Sequence, residues 1–311
     1  MFPSARASRN SGRRGIKKQF ETQQRMGAVT AIAQRRLIVN KLIHSSFVIL
    51  ALACPIAAYA VAAEGSFDRT LNVSGTVYLE ISTGSGSIDI RRGTGNRVEI
   101  HGRIRAGDSW SWWRSSSRDA EDVVRKLEAN PPIEQSGQTI RVGRISDRDW
   151  YQNVSISYEV IVPAQSNVRS STGSGRQTVE GIEGKVEAST GSGSVTLRDI
   201  KGDVNATAGS GAINGTGIRG GLRMNTGSGG IHVQGEQTGR WELEAGSGGI
   251  DVDLPPNAAF DLSAHTGSGG VDVAYPVTVQ GKISRHDIVG KVGSGGHPLS
   301  VHTGSGHVRI Q

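Results

Sequence analysis

Residues 186–203 read VEASTGSGSVTLRDIKGD, and residues 204–221 read VNATAGSGAINGTGIRGG. One 18-residue pattern stands here twice, and it decides the fold. Its fixed point is Gly-Ser-Gly, which occurs nine times, with first glycines at Gly84, Gly173, Gly191, Gly209, Gly227, Gly246, Gly267, Gly293 and Gly304. From Gly173 to Gly227 the steps are 18, 18 and 18; they then drift to 19, 21, 26 and 11. A fixed period near 20 residues marks a stacked repeat, in which each unit buries its apolar side only against its neighbours.

Aligning the copies on Gly-Ser-Gly shows why each one folds. Two positions after the second glycine a β-branched residue recurs: Ile88, Val195, Ile213, Ile231, Ile250, Val271 and Val308. Two further on comes Ile90, Leu197, Val233, Val252, Val273 or Ile310. Between them stands a polar residue: Asp89, Thr196, Asn214, His232, Asp251, Asp272 or Arg309. That alternation is a strand with one buried face. Five residues before each Gly-Ser-Gly runs another apolar column, Val168, Val186, Val204, Leu222, Trp241, Leu262, Ile288 and Leu299. A mostly small column follows two residues later, with Ala188, Ala206, Met224, Leu243 and Ala264. Each unit therefore holds two short strands and two turns, one at Gly-Ser-Gly and one at Ile-x-Gly (Ile182/Gly184, Ile200/Gly202, Ile218/Gly220). Glycine at both corners permits positive φ and close backbone approach.

Such strands bury their apolar face only by stacking. Successive units in parallel register, about 4.8 Å apart, put Ile and Val into continuous inward columns. The expected fold is all-β: a single-chain parallel β-solenoid, right-handed and β-helix-like, with coils of about 18 residues from 166 to 311. Right-handed winding follows from the handedness of parallel crossovers. The alternative is an antiparallel meander, which has no reason to hold one period with identical columns.

Residues 64–165 are less regular. Strands are expected at Phe67–Val73, Val77–Ser82, Ser87–Arg91, Arg97–Ile104, Gln138–Val142 and Val154–Val162. A helix is expected at Arg118–Ala129, with Ala120, Val123, Val124 and Leu127 on one face and Pro131-Pro132 ending it. This part should cap the solenoid N-terminally, because an exposed strand edge is an aggregation template, and both parts can share one core.

Residues 1–63 form a leader. Arg35, Arg36 and Lys41 precede an uncharged run from Leu42 to Ala63, in which Ala58-Tyr59-Ala60 and Val61-Ala62-Ala63 fit the small-x-small cleavage rule. Met26 is a plausible true start. An uncleaved anchor is the other reading, and both place the remainder outside the cytoplasm. Cys54 lacks the neighbours of a lipidation site. Residues 1–60 carry ten Lys/Arg and one acid, Glu21; removing them from 35 basic and 28 acidic residues leaves 25 and 27, a net of −2. The pI near 9.8 thus belongs to the leader and is no argument for nucleic-acid binding. The only cysteine, Cys54, lies there too, so the mature chain has no thiol chemistry.

The strand Ile156-Ser157-Tyr158-Glu159-Val160-Ile161-Val162-Pro163, the segment Asn167-Val168-Arg169-Ser170-Ser171-Thr172-Gly173-Ser174-Gly175, and the recurring Thr-Gly-Ser-Gly give the chain a resemblance to a known group. It resembles the bacterial putative-adhesin family, secreted β-solenoid domains of unknown function. The resemblance spans nearly all of the mature chain. It implies a cell-envelope setting, and its motifs are structural.

Sharper chemistry is weaker in the sequence. A dinucleotide cradle needs a third glycine and a following helix, whereas a strand follows every Gly-Ser-Gly here. Calcium β-rolls need an Asp in every copy, and only Asp89, Asp251 and Asp272 stand in that column. No cofactor, metal site or catalytic residue is expected. An outward ladder of His232, Asp251 and Asp272, with Asp253 nearby, has the residue types of a polysaccharide-cleaving β-helix enzyme; the same column also holds Thr196, Asn214 and Arg309, as a solvated face does. Histidines recur late, at His265, His286, His297, His302 and His307. Trp110, Trp112 and Trp113, in a Ser-rich loop, have two readings: exposed, they are a partner-binding element that stacks on sugars or apolar surfaces; otherwise they tuck against the following helix and the end of the stack. The expected role is a non-catalytic, adhesin-like binding or scaffold module, exported to the periplasm, cell surface or medium, whose partner is an envelope glycan or protein. It meets no nucleic acid, and touches membrane only through an uncleaved leader. The alternatives are a carbohydrate-active β-helix enzyme and an envelope-stress signalling accessory protein.

Overall fold

The computed structural model describes residues 63–107, 117–143, 154–279 and 284–311. The chain divides into two compact units, Met1–Tyr59 and Ala60–Gln311; the leader and the tryptophan loop lie outside the described residues. Among its described residues the second unit is mostly strands, with one helix and a large mixed sheet. Its N-terminal part contains β1 (Ala63–Asn72), β2 (Val77–Thr83), β3 (Ile88–Arg92), β4 (Arg97–Ala106), α1 (Ser117–Ala129), β5 (Ile133–Ser136), β6 (Thr139–Val142) and β7 (Val154–Val162). The repeats follow as β8 (Ser166–Thr172), β9 (Gln177–Glu180), β10 (Val186–Thr190), β11 (Val195–Arg198), β12 (Val204–Ala208), β13 (Ile213–Thr226), β14 (Ile231–Ala245) and β15 (Ile250–Asp253). The chain closes with β16 (Phe260–Thr266), β17 (Val271–Val273), β18 (Val277–Val279), β19 (Asp287–Val292), β20 (His297–Thr303) and β21 (Val308–Ile310).

In the centre the pairing is parallel and offset by 18 residues. Val168, Val186, Val204 and Leu222 lie side by side, as do Gln177, Val195, Ile213 and Ile231. All of these inward residues except Gln177 belong to one hydrophobic core that runs from Phe67 to Ile310. Two strand tracks result. A third side is marked by the isolated parallel bridges Glu183–Lys201 and Lys201–Arg219, over the fully buried Ile182, Ile200 and Ile218. Residue Gln177 departs from the apolar column and is still buried; Ser170 donates to its Oε1 at 2.5 Å.

The Gly-Ser-Gly corners stack directly. The Gly191 N–H donates to Thr172 O and the Ser192 N–H to Gly173 O, and this pair of bonds recurs between neighbouring copies. Close approach demands the glycines, and among these stacked corners only Gly269 also has a positive φ, of 155°. A Cβ on Gly211 would stand 1.6 Å from Gly193 O. The threonine before the motif adds a bond that the apolar columns do not announce. Thr226 Oγ1 donates to Gly211 O at 2.9 Å and accepts from its own Gly229 N–H at 3.2 Å. Thr172, Thr266 and Thr303 likewise reach a glycine carbonyl of the adjacent copy.

Within 166–311 the expected all-parallel, sequential stack is broken twice, by antiparallel pairing of β19 with β16 and β18 and by the order of the rungs; the N-terminal part adds antiparallel pairs of its own. At the N-terminal end, β1, β4 and β7 pair antiparallel before β7 joins β3 in parallel. At the C-terminal end the order in space is not the order in sequence. β14 and β15 pair with β20 and β21, and these in turn pair with β16 and β17. The last repeat therefore fills a rung between two earlier ones. Its corner bonds agree: Gly304 N–H donates to Ala245 O, and Gly267 N–H to Thr303 O. Gly293, expected as a ninth corner, instead sits between β19 and β20, and Ile288 lies on antiparallel β19 rather than in the apolar column. The step from Gly246 to Gly267 is three residues longer than 18. Those residues give the Pro255-Pro256 connection the reach to skip one rung, since an extended residue spans about 3.3 Å.

The expected helix forms, with Ala120, Val123, Val124 and Leu127 buried. It packs against β1, where Gly65 makes room for Val124, and Gly102 on β4 makes room for the Phe67 ring. β1 pairs with β4 alone among the described strands, and side chains blunt its other edge. Glu128 accepts from the Ser66 N–H at 3.0 Å, and Gln135 donates to Asn72 O at 3.0 Å. Groups used this way are withdrawn from strand addition.

Candidate functional site

Strand alternation points every second residue of the second track outward, and the pairings join these residues into one row. Along it stand Asp68, His101, Glu159, Asp89, Thr178, Thr196, Asn214, His232, Asp251, Arg309 and Asp272. The sequence-derived trio His232, Asp251 and Asp272 does share this row. His232 and Asp251 are neighbours. Asp251 and Asp272 are not, because the inserted β21 puts Arg309 between them. Arg309 Nη1 lies 3.5 Å from Asp251 Oδ1. Asp272 Oδ2 lies 2.7 Å from His307 Nε2, and Asp253 Oδ2 lies 3.7 Å from His232 Nε2. Each of these three acids is engaged with a basic partner, and the spacing expected from sequence order is doubled for one pair.

The late histidines separate into different places. His265 and His302 are paired in register on the first track, with rings stacked at 5.2 Å and an interplanar angle of 4°. His307 faces Asp272 on the other track. Among the described residues no three His, Cys, Asp or Glu side chains converge as a metal site would require.

The opposite end of the row is the part that sequence reasoning missed. An open depression of about 210 Å³ lies there, and Asp68, Asp89, Glu99, His101 and Glu159 line it. His101 Nδ1 is 2.8 Å from Asp68 Oδ1. Arg91 holds Asp89 through two bonds, Nε to Oδ1 at 3.0 Å and Nη2 to Oδ2 at 2.8 Å. Glu159 faces Asp89 in register on one side and His101 on the other. Next to Glu159 in the chain, Tyr158 turns inward and is 1% exposed; its hydroxyl has no hydrogen-bond partner among the described residues, and burial pushes its pKa far above the ordinary phenol value. The alternation in Ile156–Val162 places Glu159 outward from sequence alone. Its neighbours follow only from the antiparallel pairing of β4 with β7, which no repeat announces.

Stacked Gly-Ser-Gly corners, long polar rows and an N-terminal helical cap define a class of repeat-built all-β proteins. Within that class, residues 150–311, more than half of the chain, match the Toastrack DUF4097 family, and the chain belongs to it. No curated protein matches the chain. Two solved structures are similar over most of its length. One is a putative cell adhesion protein from Clostridium sporogenes, with 14% identity, 80% of this chain and 99% of that chain covered, and a TM-score of 0.34. The other is a putative adhesin from Bacteroides fragilis, with 12% identity, 79% and 97% covered, and the same TM-score.

Proposed function

We propose that the protein is an exported, non-catalytic binding or scaffold module of the cell envelope, in the periplasm, on the surface or in the medium. We read its fold as a single-chain right-handed parallel β-solenoid with coils of about 18 residues; the constant offset of 18 between parallel partners supports this. The observation that carries the function is the outward row from Asp68 to Asp272. Such a row offers a long, stiff, evenly spaced surface built on short corners. Export rests on the basic-then-apolar leader, Arg35, Arg36 and Lys41 before Leu42–Ala63. The partner is an envelope glycan or protein, and Trp110, Trp112 and Trp113 remain the proposed contact loop.

The test is a pull-down from envelope fractions beside a glycan array. A partner whose capture weakens with Trp112→Ala and Trp113→Ala, at unchanged folding, supports the module. One observation favours an enzyme instead. Asp89 and Glu159 stand on adjacent strands, whose spacing of about 4.8 Å is near the separation of a retaining glycosidase pair. A glycan-cleaving activity abolished by Asp89→Asn or Glu159→Gln, with stability retained, would replace the module reading.

A further inference from the structure

The first track carries a second surface near its N-terminal end. Tyr78 is the only aromatic side chain among the strongly exposed large hydrophobic residues described, at 53% exposure. It stands on β2 between Thr139 of β6 and Asn167 of β8. Two residues along each strand, on the same face, runs a charged row: Arg141, Glu80, Arg169 and Glu187. Arg141 Nε donates to Glu80 Oε2 at 3.3 Å. Lys185 Nζ lies 2.6 Å from Glu187 Oε1, and this hydrogen bond holds the Glu187 carboxyl below its usual range. Arg169 is then a third cation for two carboxylates. Its nearest acidic atom, Glu187 Oε2, is 3.7 Å away, and its side chain is 72% exposed. An open trough of about 370 Å³ lies over Tyr78, Asn167, Arg169 and Lys185, with Glu80 and Glu187 also in its lining and Arg141 outside it, so that Arg169 is the cation left exposed there because Lys185 already holds Glu187.

We propose that this trough binds a pyranose carrying a carboxylate, a sugar of the uronic-acid class. The inference deepens the reading of the chain as a binding module by naming a ligand class and a site. An exposed tyrosine ring offers an apolar face to the C–H face of a sugar, with its hydroxyl at the wet edge. The guanidinium is a planar fork that matches a carboxylate with two parallel bonds. The spacing suits one sugar. Arg169 is diagonal to Tyr78 across the parallel strand pair, one strand over and two residues along, a separation of about 8 Å between Cα atoms, which a ring and its carboxylate can bridge. Amide and hydroxyl groups on Asn167 and Thr139 flank the ring, where sugar hydroxyls would lie. A neutral sugar leaves the surplus cation unmatched, and a bare anion makes no use of Tyr78.

The test titrates the purified protein with a galacturonic-acid trisaccharide and, in parallel, with a neutral glucose trisaccharide, by calorimetry or NMR. The site predicts saturable binding of the acidic sugar and at least about tenfold weaker binding of the neutral one. Tyr78→Ala should weaken binding by about tenfold. Arg169→Gln should weaken it comparably, and Arg169→Lys should recover only part, because an ammonium lacks the fork. Raised salt should weaken the acidic sugar alone. Equal binding of both sugars, full binding by Tyr78→Ala or Arg169→Gln at unchanged melting, or no saturable binding in the millimolar range would overturn the proposal. Capture of an envelope partner that survives Tyr78→Ala would overturn this site while leaving the module reading in place.

Discussion

From Val168 to Val233 the neighbour in space is the neighbour in sequence, each repeat lying 18 residues from the next. From Trp241 onward the same kind of repeat obeys a different order, with the last rung of sequence placed inside the stack. The two regions share their columns, corners and burial. The difference teaches that column chemistry decides what a residue does within its repeat, while the connections decide which repeat it meets. A stacked Ile or Val accepts any other such residue, so only linker length and local exceptions select the partner.

The comparison breaks most visibly under deletion. Removing His297–Gln311 should abolish cooperative folding. Leu299, Val301, Val308 and Ile310 are at most 1% exposed, and burying each contributes about 1.5–3 kcal/mol. Their loss would also leave β14, β15, β16 and β17 facing an empty rung. Removing Gly191–Ala208, one repeat of the regular region, should leave a shorter folded protein, because equivalent strands rejoin. Circular dichroism and thermal melting distinguish the two. A mild effect of the C-terminal deletion would mean that this repeat is terminal after all.

Single substitutions sharpen the shared part of the comparison. Ile213, fully buried between Val195 and Ile231, should lose several kcal/mol of stability as Ile213→Asp, since the charge has no partner. Asn214→Asp, on the outward row, should change stability by about 0.5 kcal/mol or less. Gly211→Ala should destabilise by about 2–4 kcal/mol, because a backbone carbonyl rather than a flexible side chain fills the space. The adjacent exposed Ser210→Ala should be nearly silent in the same melts. Thr226→Val should lower stability by about 1–2 kcal/mol by leaving Gly211 O and the Gly229 N–H short of a partner.

The inward columns, the outward polar column and the α1 face were legible because strands and helices write their burial into periods of 2 and 3.6. Gln177 hid the column at one position, since its burial depends on Ser170 in the same repeat. The role of the threonine before Gly-Ser-Gly was hidden because it serves the neighbouring repeat. Alternation turns the acid row outward, but adjacency does not follow from the column: Asp251 and Asp272 are successive in it, and the inserted Arg309 parts them. The depression at Glu159 and His101 was invisible for a related reason, since antiparallel β4 and β7 have no repeat to align.

The order of the rungs can be read directly with paired cysteines at the exposed corners, in a chain carrying Cys54→Ser. Ser268 Oγ and Ser305 Oγ are 3.5 Å apart, and Ser305 N–H donates to Gly246 O beside Ser247. Ser247→Cys with Ser305→Cys, and Ser305→Cys with Ser268→Cys, each place the sulfurs one rung apart. A disulfide requires Cα atoms within about 4.4–6.8 Å, and one rung of about 4.8 Å meets it. Ser247→Cys with Ser268→Cys spans two rungs and should not close. Under mild oxidation, followed by proteolysis and mass spectrometry, the first two pairs should cross-link readily and the third should stay reduced. Rapid closure of the 247–268 pair, with 247–305 left open, would contradict the inserted last repeat.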